Sequence, residues 1–401
     1  MKVSKLSPRL AVELDIVDAH EEIPVIVELK QGGVAKGLGL PIHMSFRLTP
    51  TVALTALRDE IFRLTTSPQV SRIWRDVPVH ACLDVSVPLT EAPSVWREGF
   101  LGSGITVAIV DTGVDAQHPA LVGRVVARYD LTGEGEEDKN GHGTHVAGII
   151  AGTGDKYKGM APQARLVSVK VLRRDGSGMM TGVMLGVERA AEERVHVINL
   201  SLGASGASDG TDPLSRTCDA AVARGVAVCV AAGNDGPARG TVGSPGAARR
   251  VIAIGASTDG DAVADFSSRG PTADGRVKPD LLFPGYGIIS ARAQGTAMGR
   301  TIDDLYTEAS GTSMATPHAS GAVALLLEAR PGLNPAQVKD LLISSAKDLG
   351  LSPSDQGAGR AQVYHAYGSP LRPTPAPEPA PLPERPGCLP GLVRQVMGVG
   401  G

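Results

Sequence analysis

The sequence predicts an α/β fold with a mainly parallel central sheet and helices on both faces. Short apolar runs rich in β-branched residues recur at 105–110, 164–172, 195–200, 225–231 and 251–254. Helix-length segments separate these runs, and this alternation is typical of crossover connections between parallel strands. Because ligands bind beyond the carboxyl ends of such strands, the polar residues that follow the runs are the first candidates for function: Asp111, Ser201 and Asn234.

Composition and charge narrow the class of protein. The chain has 401 residues, is 42% hydrophobic and carries a formal net charge of −3, which allows one large domain with smaller attachments. This charge offers no broad basic surface for phosphates, so we expect no nucleic-acid partner. No run approaches about 18 apolar residues, and the N-terminus lacks the apolar core of a secretory signal. We therefore expect no membrane span, and either a cytoplasmic location or export without a leader.

The chain divides by pattern into four parts. Residues 1–20 form an N-terminal extension, and 21–82 contain a strand near 23–29, a helix at 52–64 and a second extended piece at 70–74, enough for a small α+β domain. The predicted sheet lies within a domain spanning 83–368. Repeated proline in 369–401 favours extended polyproline conformation, so this part is predicted to be a linker or a disordered tail.

The cysteines do not indicate a metal site. Cys82, Cys218, Cys229 and Cys388 lie far apart, without a CxxC pattern or a cysteine–histidine ligand spacing. A disulfide between Cys218 and Cys229 remains an alternative, but buried free thiols are the simpler interpretation.

Three glycine-containing motifs carry residues suited to chemistry. Asp111 lies in VDTGVD directly after a predicted strand, His142 lies in NGHGTHVAG, and Ser313 lies in SGTSMATPH at the expected start of a helix. Taken alone, the aspartate is a turn former, His142 or His145 is a helix cap or metal ligand, and the serine is an N-cap. Together they supply the carboxylate, imidazole and hydroxyl that acyl transfer requires.

In this order, DTG, GHGTHVAG and GTSMATPH resemble the three signature segments of the subtilisin-like serine proteases. The resemblance implies a subtilisin-like fold and a serine endopeptidase that forms an acyl-enzyme on Ser313, with His142 as the base and Asp111 orienting it. The segment AAGNDG resembles the family segment whose asparagine binds the oxyanion, so Asn234 is expected to act with the backbone N–H of Ser313.

The resemblance also implies where a polypeptide substrate binds. Two segments resemble the family's strand edges that pair with the backbone of an extended peptide: Ser177, Gly178, Met179 and Ser201, Leu202, Gly203. The pocket for the residue before the cut would be walled by Leu202, Gly203, Ala231, Ala232 and Gly233. Polypeptides are therefore the expected substrates, and we expect the enzyme to be a monomer.

The domain at 21–82 resembles the family's inhibitory propeptide, and LDVSVP from Leu83 resembles the start of a mature enzyme. We therefore expect a self-processing zymogen, held by its own propeptide, that is cut between about Ala81 and Val85. A permanent accessory domain is the alternative.

No cofactor is expected in the chemistry, and the metal ligands, if any, are left open. A structural calcium is possible, but the stretch 151–160 is shorter and poorer in oxygen ligands than the family's usual calcium loop, so that site is expected to be missing.

Two other functions fit the same motifs. A catalytically silent relative could serve as a binding module, but such chains typically lose a member of the triad, and here all four catalytic positions are present. An esterase or a ligase could use the same triad, but the peptide-pairing segments argue against it.

Overall fold

The computed structural model describes residues 5–7, 10–11, 14, 17–18, 20–30, 35–45, 50–75 and 83–371. The chain forms two compact units, Met1–His80 and Ala81–Gly401. The predicted tail lies outside the described residues from 372 onward, so its conformation stays a prediction.

The first unit contains a four-stranded antiparallel sheet in the order β2-β3-β1-β4. Its strands are β1 Glu22–Leu29, β2 Met44–Ser45, β3 Thr51–Leu57 and β4 Val70–Arg75, with a 3-10 helix at Ala35–Leu38 and helix α1 at Arg58–Thr66. Leu6, Leu10 and Leu14, from the predicted N-terminal extension, are buried in the core of this unit.

The predicted helix at 52–64 is wrong in its first half. The segment TVALTAL forms β3, in which Val52, Leu54 and Ala56 are buried and the residues between them are only half-buried. This alternation has the period of two that a half-buried strand requires. Helix α1 begins at Arg58, where the backbone N–H of Leu57 donates to the Glu60 carboxylate at 2.9 Å.

The second unit is built on a seven-stranded parallel sheet in the order β11-β10-β9-β8-β5-β7-β6. Its strands are β5 Thr106–Asp111, β6 Val125–Asp130, β7 Arg165–Lys170, β8 Val197–Leu200, β9 Ala227–Ala231, β10 Ile252–Ser257 and β11 Leu281–Pro284. The five predicted strands and the predicted parallel α/β class are confirmed, whereas β6 and β11 were not predicted.

The described part of the chain also contains a small antiparallel sheet and nine further α-helices, which make ten with α1. The small sheet has the order β12-β14-β13, with β12 Ile288–Ala291, β13 Arg300–Thr301 and β14 Tyr306–Ala309. The helices of the second unit are α2 Leu83–Leu89, α3 Ala92–Arg97, α4 His142–Ala151, α5 Met180–Glu192, α6 Pro213–Ala223, α7 Thr312–Ala329, α8 Pro335–Ser344, α9 Pro353–Gln356 and α10 Val363–Gly368.

Helices cover both faces of the parallel sheet. Side chains alternate along β5, so Val107 and Ile109 pack with α4 and α7, whereas Ala108 and Val110 pack with α5 and α6. A strand buried on both faces reads as a continuous apolar run, which is why β5 was predictable. The carboxyl ends of β5, β8 and β9 are neighbours in this sheet and carry the candidate site.

Both described cysteines are buried free thiols, as the simpler interpretation of the sequence has it. Cys218 on α6 and Cys229 on β9 belong to core clusters on opposite faces of the sheet. Burial raises the pKa of both thiols, so they remain protonated at neutral pH. Cys82 and Cys388 lie outside the described residues.

Within the described ranges, no helix combines the length and the apolar character that crossing a membrane requires.

Candidate active site

Asp111 and His142 meet at the carboxyl end of β5. Asp111 is the last residue of this strand and is fully buried, and its Oδ1 atom lies 2.7 Å from Nδ1 of His142. The same oxygen accepts a hydrogen bond from the backbone N–H of Thr112 at 2.7 Å. Since a carboxylate oxygen only accepts, Nδ1 of His142 carries the proton, and Nε2 is left as the basic nitrogen.

His142 is the first residue of α4, and a second buried carboxylate holds this end of the helix. Oδ1 of Asp138 accepts from the Gly141 N–H at 2.8 Å and from the Thr112 hydroxyl at 2.9 Å. Its Oδ2 accepts from the N–H and the hydroxyl of Thr144 at 2.9 and 2.6 Å. Asp138 thereby joins the loop after β5 to the start of α4, where unpaired N–H groups favour a negative charge.

Charge around His142 favours the protonated imidazole. Burial of the ring lowers the pKa of His142, but the charge of Asp111 and its hydrogen bond, together with the charge of Asp138, outweigh that effect and raise the pKa above its ordinary value of 6.5. The side chain is 21% exposed and lines the cavity described below, so the imidazole can exchange protons with a bound substrate.

His145, the other histidine of this motif, has a structural position. It is fully buried, and its Nε2 lies 3.1 Å from the carbonyl oxygen of Ile288 and 3.2 Å from that of Thr307. Burial lowers the pKa of His145 to about 3, so the ring is neutral and donates from Nε2. His145 therefore connects α4 to β12 and β14.

Ser313 is the second residue of α7. Its hydroxyl donates to the carbonyl oxygen of Ser201 at 2.8 Å rather than to His142. No hydrogen bond among the described residues uses the backbone N–H of Ser313, as expected in the first turn of a helix. The hydroxyl must rotate away from Ser201 before His142 can take its proton.

Asn234 follows β9 and is oriented by the first residue of α7. Its Oδ1 atom accepts from both the backbone N–H and the hydroxyl of Thr312, each at 2.9 Å. Because a backbone N–H can only donate, the oxygen of the amide must face Thr312, and Nδ2 is left as a donor. Asn234 and Ser313 line the same cavity.

This cavity has a volume of about 530 Å³. Its walls include eight of the thirteen residues predicted for the site: His142, Ser177, Gly178, Ser201, Leu202, Gly203, Asn234 and Ser313. Asp111 lies behind this wall, while Met179, Ala231, Ala232 and Gly233 do not line it. Met179 is largely exposed to solvent, at 70% of the residue, and Ala231 and Ala232 are buried.

Sequence reasoning missed several residues around the cavity. One group forms its apolar wall: Leu172, Met180, Val183 and Leu214. Asp138 and Thr312 orient the catalytic groups but do not line the cavity. A signal for Asp138 exists in the sequence, because it stands four residues before a histidine that begins a helix, where a carboxylate can bind free N–H groups.

No group of three or more His, Cys, Asp or Glu side chains in the described part of the chain could hold a metal ion. The polar groups of the cavity are instead an imidazole, a hydroxyl, an amide and backbone groups.

The fold and the site together define the class of protein, a serine hydrolase built on a parallel α/β sheet. The sequence profile described as the Subtilase family matches residues 102–368, most of the second unit. The chain therefore belongs to the subtilase family, and it is a serine endopeptidase that acts on polypeptides.

Individual relatives are similar over most of this length. Serine protease AprX of Bacillus subtilis (strain 168) is 39% identical over 334 residues, which cover 76% of this chain and 75% of AprX. Subtilisin E of the same strain is 34% identical over 346 residues, which cover 84% of this chain and 86% of that protein. The crystal structure of a cold adapted subtilisin-like serine proteinase is 36% identical, with a TM-score of 0.55 over 66% of this chain and 88% of that chain.

Proposed function

We propose that this enzyme cleaves extended polypeptides through an acyl-enzyme on Ser313 and that it is made as a self-processing zymogen. The observation that carries the proposal is the 2.7 Å contact between Asp111 and His142, beside a cavity that also contains Ser313 and Asn234. These groups supply a nucleophile, a base, a residue that orients the base, and an oxyanion donor.

The chemistry follows from these positions. The Ser313 hydroxyl turns from Ser201 to Nε2 of His142, which takes its proton as the oxygen attacks the substrate carbonyl. The oxyanion accepts hydrogen bonds from Nδ2 of Asn234 and the backbone N–H of Ser313. His142 then protonates the leaving amine, and a water molecule, activated by the same imidazole, hydrolyses the ester. Asp111 keeps the proton on Nδ1 and stabilises the imidazolium.

Substrate binding prepares the nucleophile in this scheme. The Ser201 carbonyl accepts the Ser313 hydroxyl at 2.8 Å, and Ser201 belongs to a segment expected to pair with the substrate backbone. A substrate N–H that takes this carbonyl competes with the hydroxyl of Ser313. The hydroxyl is thereby released toward His142 when a peptide is in place.

A chromogenic peptide assay with two serine variants tests the reaction. Ser313→Ala removes the nucleophile and should abolish turnover. Ser310→Ala is the matched control, because Ser310 lies in the same motif but only accepts a hydrogen bond from the N–H of Gly287 at 2.8 Å. It should retain turnover. Equal turnover by the parent and by Ser313→Ala would eliminate the acyl-enzyme mechanism.

Self-processing is the finer part of the proposal. The interval from about Ala81 to Val85 includes residues 81 and 82, outside the described residues, and the first turn of α2. Because a protease binds its substrate extended, cleavage before Leu83 needs less unwinding of this helix than cleavage within it. The boundary between the two units lies at His80 and Ala81, which also favours cleavage before Leu83.

Mass spectrometry of the purified protein tests this step. The parent should lose its first unit, and Ser313→Ala should accumulate at full length. An active parent that stays full length would show that the first unit is a permanent accessory domain.

We further propose that the chemistry needs no cofactor and that the family's usual calcium loop is missing. The stretch between α4 and β7 is closed by a hydrogen bond from the N–H of Gly159 to Gly152 at 2.8 Å, and the N–H of Thr153 joins it to Ala120 at 2.9 Å. Asp155 is the one carboxylate in this stretch, whereas a calcium ion takes about six or more oxygen ligands. Turnover should therefore survive incubation with EDTA, and its loss, restored by calcium, would contradict this proposal.

A further inference from the structure

Asn199 is a buried amide in the middle of the central sheet. It lies on β8 and is fully buried, between Ile198 and Leu200, which face α5 and α6. Val197, two residues earlier, packs in the core cluster of α7 on the opposite face. An amide in such a position costs free energy unless it is hydrogen-bonded, and a strand chosen only for packing would carry an apolar residue there.

Asn199 bonds to two elements that bear on catalysis. Its Oδ1 atom accepts from the hydroxyl of Ser320 at 2.8 Å, and its Nδ2 atom donates to the hydroxyl oxygen of Ser201 at 2.9 Å. Ser320 is fully buried and stands seven residues after Ser313, two turns further along α7 and on the same side of the helix. Asn199 therefore links the helix of the nucleophile to the end of β8.

Ser201 has few other restraints, because the bond from the Ser313 hydroxyl to its carbonyl is given up when that hydroxyl turns to His142. The ladder between β8 and β9 ends at the pair Leu200 and Val230, so Ser201 is the first residue beyond the sheet. The next anchor is the N–H of Ala204, which donates to the carbonyl of Ser244 at 2.8 Å. Leu202 and Gly203, between these anchors, line the cavity.

We propose that Asn199 is a positioning residue that fixes the segment Ser201–Gly203 relative to α7. This link keeps a fixed distance between the backbone edge that pairs with the substrate and the Ser313 hydroxyl that attacks it. This inference rests on the proposed function, because it assigns Asn199 a role in presenting a peptide to Ser313. It explains why a fully buried amide occupies a strand that is otherwise apolar.

Kinetics with two kinds of probe test the proposal. A peptide p-nitroanilide of four residues needs the pairing segment, whereas phenylmethanesulfonyl fluoride reacts with Ser313 without it. Asn199→Ala and Ser320→Ala each break the link and should lower kcat/KM for the peptide by about 10- to 100-fold, since misplacing reacting groups by about 1 Å can cost about 100-fold. Inactivation by the sulfonyl fluoride should change by less than about threefold, because this reagent has no peptide backbone to pair with the segment.

The double variant tests whether the two residues act as one link. Once either residue is gone the link is broken, so Asn199→Ala combined with Ser320→Ala should be no slower than the slower single variant. Thr90→Val is the matched control: it removes an equally buried hydroxyl that bonds the carbonyl of Val87, and its kcat/KM should equal that of the parent.

Each outcome either supports or overturns the positioning role of Asn199. Equal losses with both probes, additive losses in the double variant, or a similar loss in Thr90→Val would overturn the positioning role. If Asn199→Ala does not fold, Ser320→Ala alone decides, because it removes one hydroxyl and predicts the same selective loss on the peptide. Failure of the proposed function looks different, since the parent itself would then neither cleave the peptide nor react with the sulfonyl fluoride.

Discussion

Nδ1 of His142 lies 2.7 Å from Oδ1 of Asp111, although the two residues belong to different elements. This distance depends on how closely the start of α4 approaches the loop after β5. A Cβ atom on Gly143 would lie 2.1 Å from the carbonyl oxygen of Gly113, where no side chain fits. The glycine that follows the histidine is therefore required for the contact between the carboxylate and the imidazole.

Gly143→Ala should therefore abolish peptide turnover, because the backbone of α4 must move away from the loop that follows Asp111. Gly182→Ala is the matched control within another helix, since its Cβ would lie 3.9 Å from the nearest atom, the carbonyl oxygen of Val171. This control should keep full activity and gain about 0.4–1 kcal/mol of stability. Turnover and thermal unfolding measure both effects, and an active Gly143→Ala would show that the loop can yield.

The pH profile should reflect the raised pKa of His142. The charged groups that act on its ring are Asp111 and Asp138, and the neighbouring His145 is neutral. Only neutral imidazole acts as a base, so kcat/KM should rise with pH, and the midpoint of that rise should lie above the ordinary value of 6.5. A flat profile between about pH 5 and 8 would contradict the role of His142.

Removing one charge should move the rising limb of this pH profile in a defined direction. Asp138→Asn removes a negative charge that favours the imidazolium, so the pKa of His142 should fall and the limb should move to lower pH. Asp209→Asn is the control, because Asp209 accepts from the N–H and hydroxyl of Thr211 at 2.9 and 2.7 Å, much as Asp138 does from Thr144, but does not act on the pKa of His142. If the rising limb did not move in Asp138→Asn, an electrostatic effect of Asp138 on His142 would be excluded.

Most of the parallel sheet could be predicted because its strands are buried on both faces and read as apolar runs. The exceptions have physical reasons. β6 and β11 are the two edge strands: β6, with the sequence VVARYD, is only half-buried, and β11, with the sequence LLFP, contains a proline. The segment that became β3 was predicted as a helix, because a short apolar stretch does not decide between the two periods until its partner strand is known.

The candidate site could be predicted only in part. Asp111, His142, Ser313 and Asn234 stand out because glycines frame them, but their meeting in space depends on the order of the strands, and the resemblance to a family supplied it. The supporting residue Asp138 carries only a weaker signal, its position four residues before His142. Asp138 lies in the acidic run EGEED, which looks like a solvated loop, and only the fold shows that this carboxylate is buried.

Asn234→Asp separates the donor of the oxyanion site from the support of α7. Aspartate can still accept both hydrogen bonds from Thr312 through one oxygen, so the helix start should keep its anchor. It has no amide donor, and its charge repels an oxyanion. The kcat for a peptide should fall by at least about 10²–10³, the loss measured when such a donor is removed from a subtilisin. The variant should unfold at the parent's temperature, and undiminished turnover would remove Asn234 from the mechanism.

A buried charge cluster lies at the opposite end of the sheet from the cavity. Nζ of Lys278 lies 2.6 Å from one oxygen of Asp280, and Nζ of Lys339 lies 2.9 Å from the other. Burial, together with the charge of Lys339, lowers the pKa of Lys278 to about 7, although Asp280 opposes this shift. One carboxylate thus serves two lysines, and Lys278 is the more deeply buried of them.

Replacing Lys278 should therefore change how stability depends on pH. Between about pH 7 and 10 the unfolded chain keeps a proton on this lysine that the folded chain has lost, so the parent's free energy of unfolding gains a rising contribution across this window. Lys278→Met keeps the pair of Lys339 and Asp280, so it should remove this rise and, at pH 6, leave stability unchanged or raise it by about 1–4 kcal/mol.

Urea unfolding at pH 6 and pH 9, in the Ser313→Ala background to prevent self-digestion, measures both quantities. Lys347→Met is the control, because Lys347 is half exposed in its pair with Asp261 and should change stability by no more than about 1 kcal/mol. Asp280→Asn should instead cost about 3–5 kcal/mol, since two buried lysines then share no counter-charge. If Lys278→Met destabilised the protein equally at both pH values, the lysine would be a charged structural partner of Asp280, and the lowered pKa would be refuted.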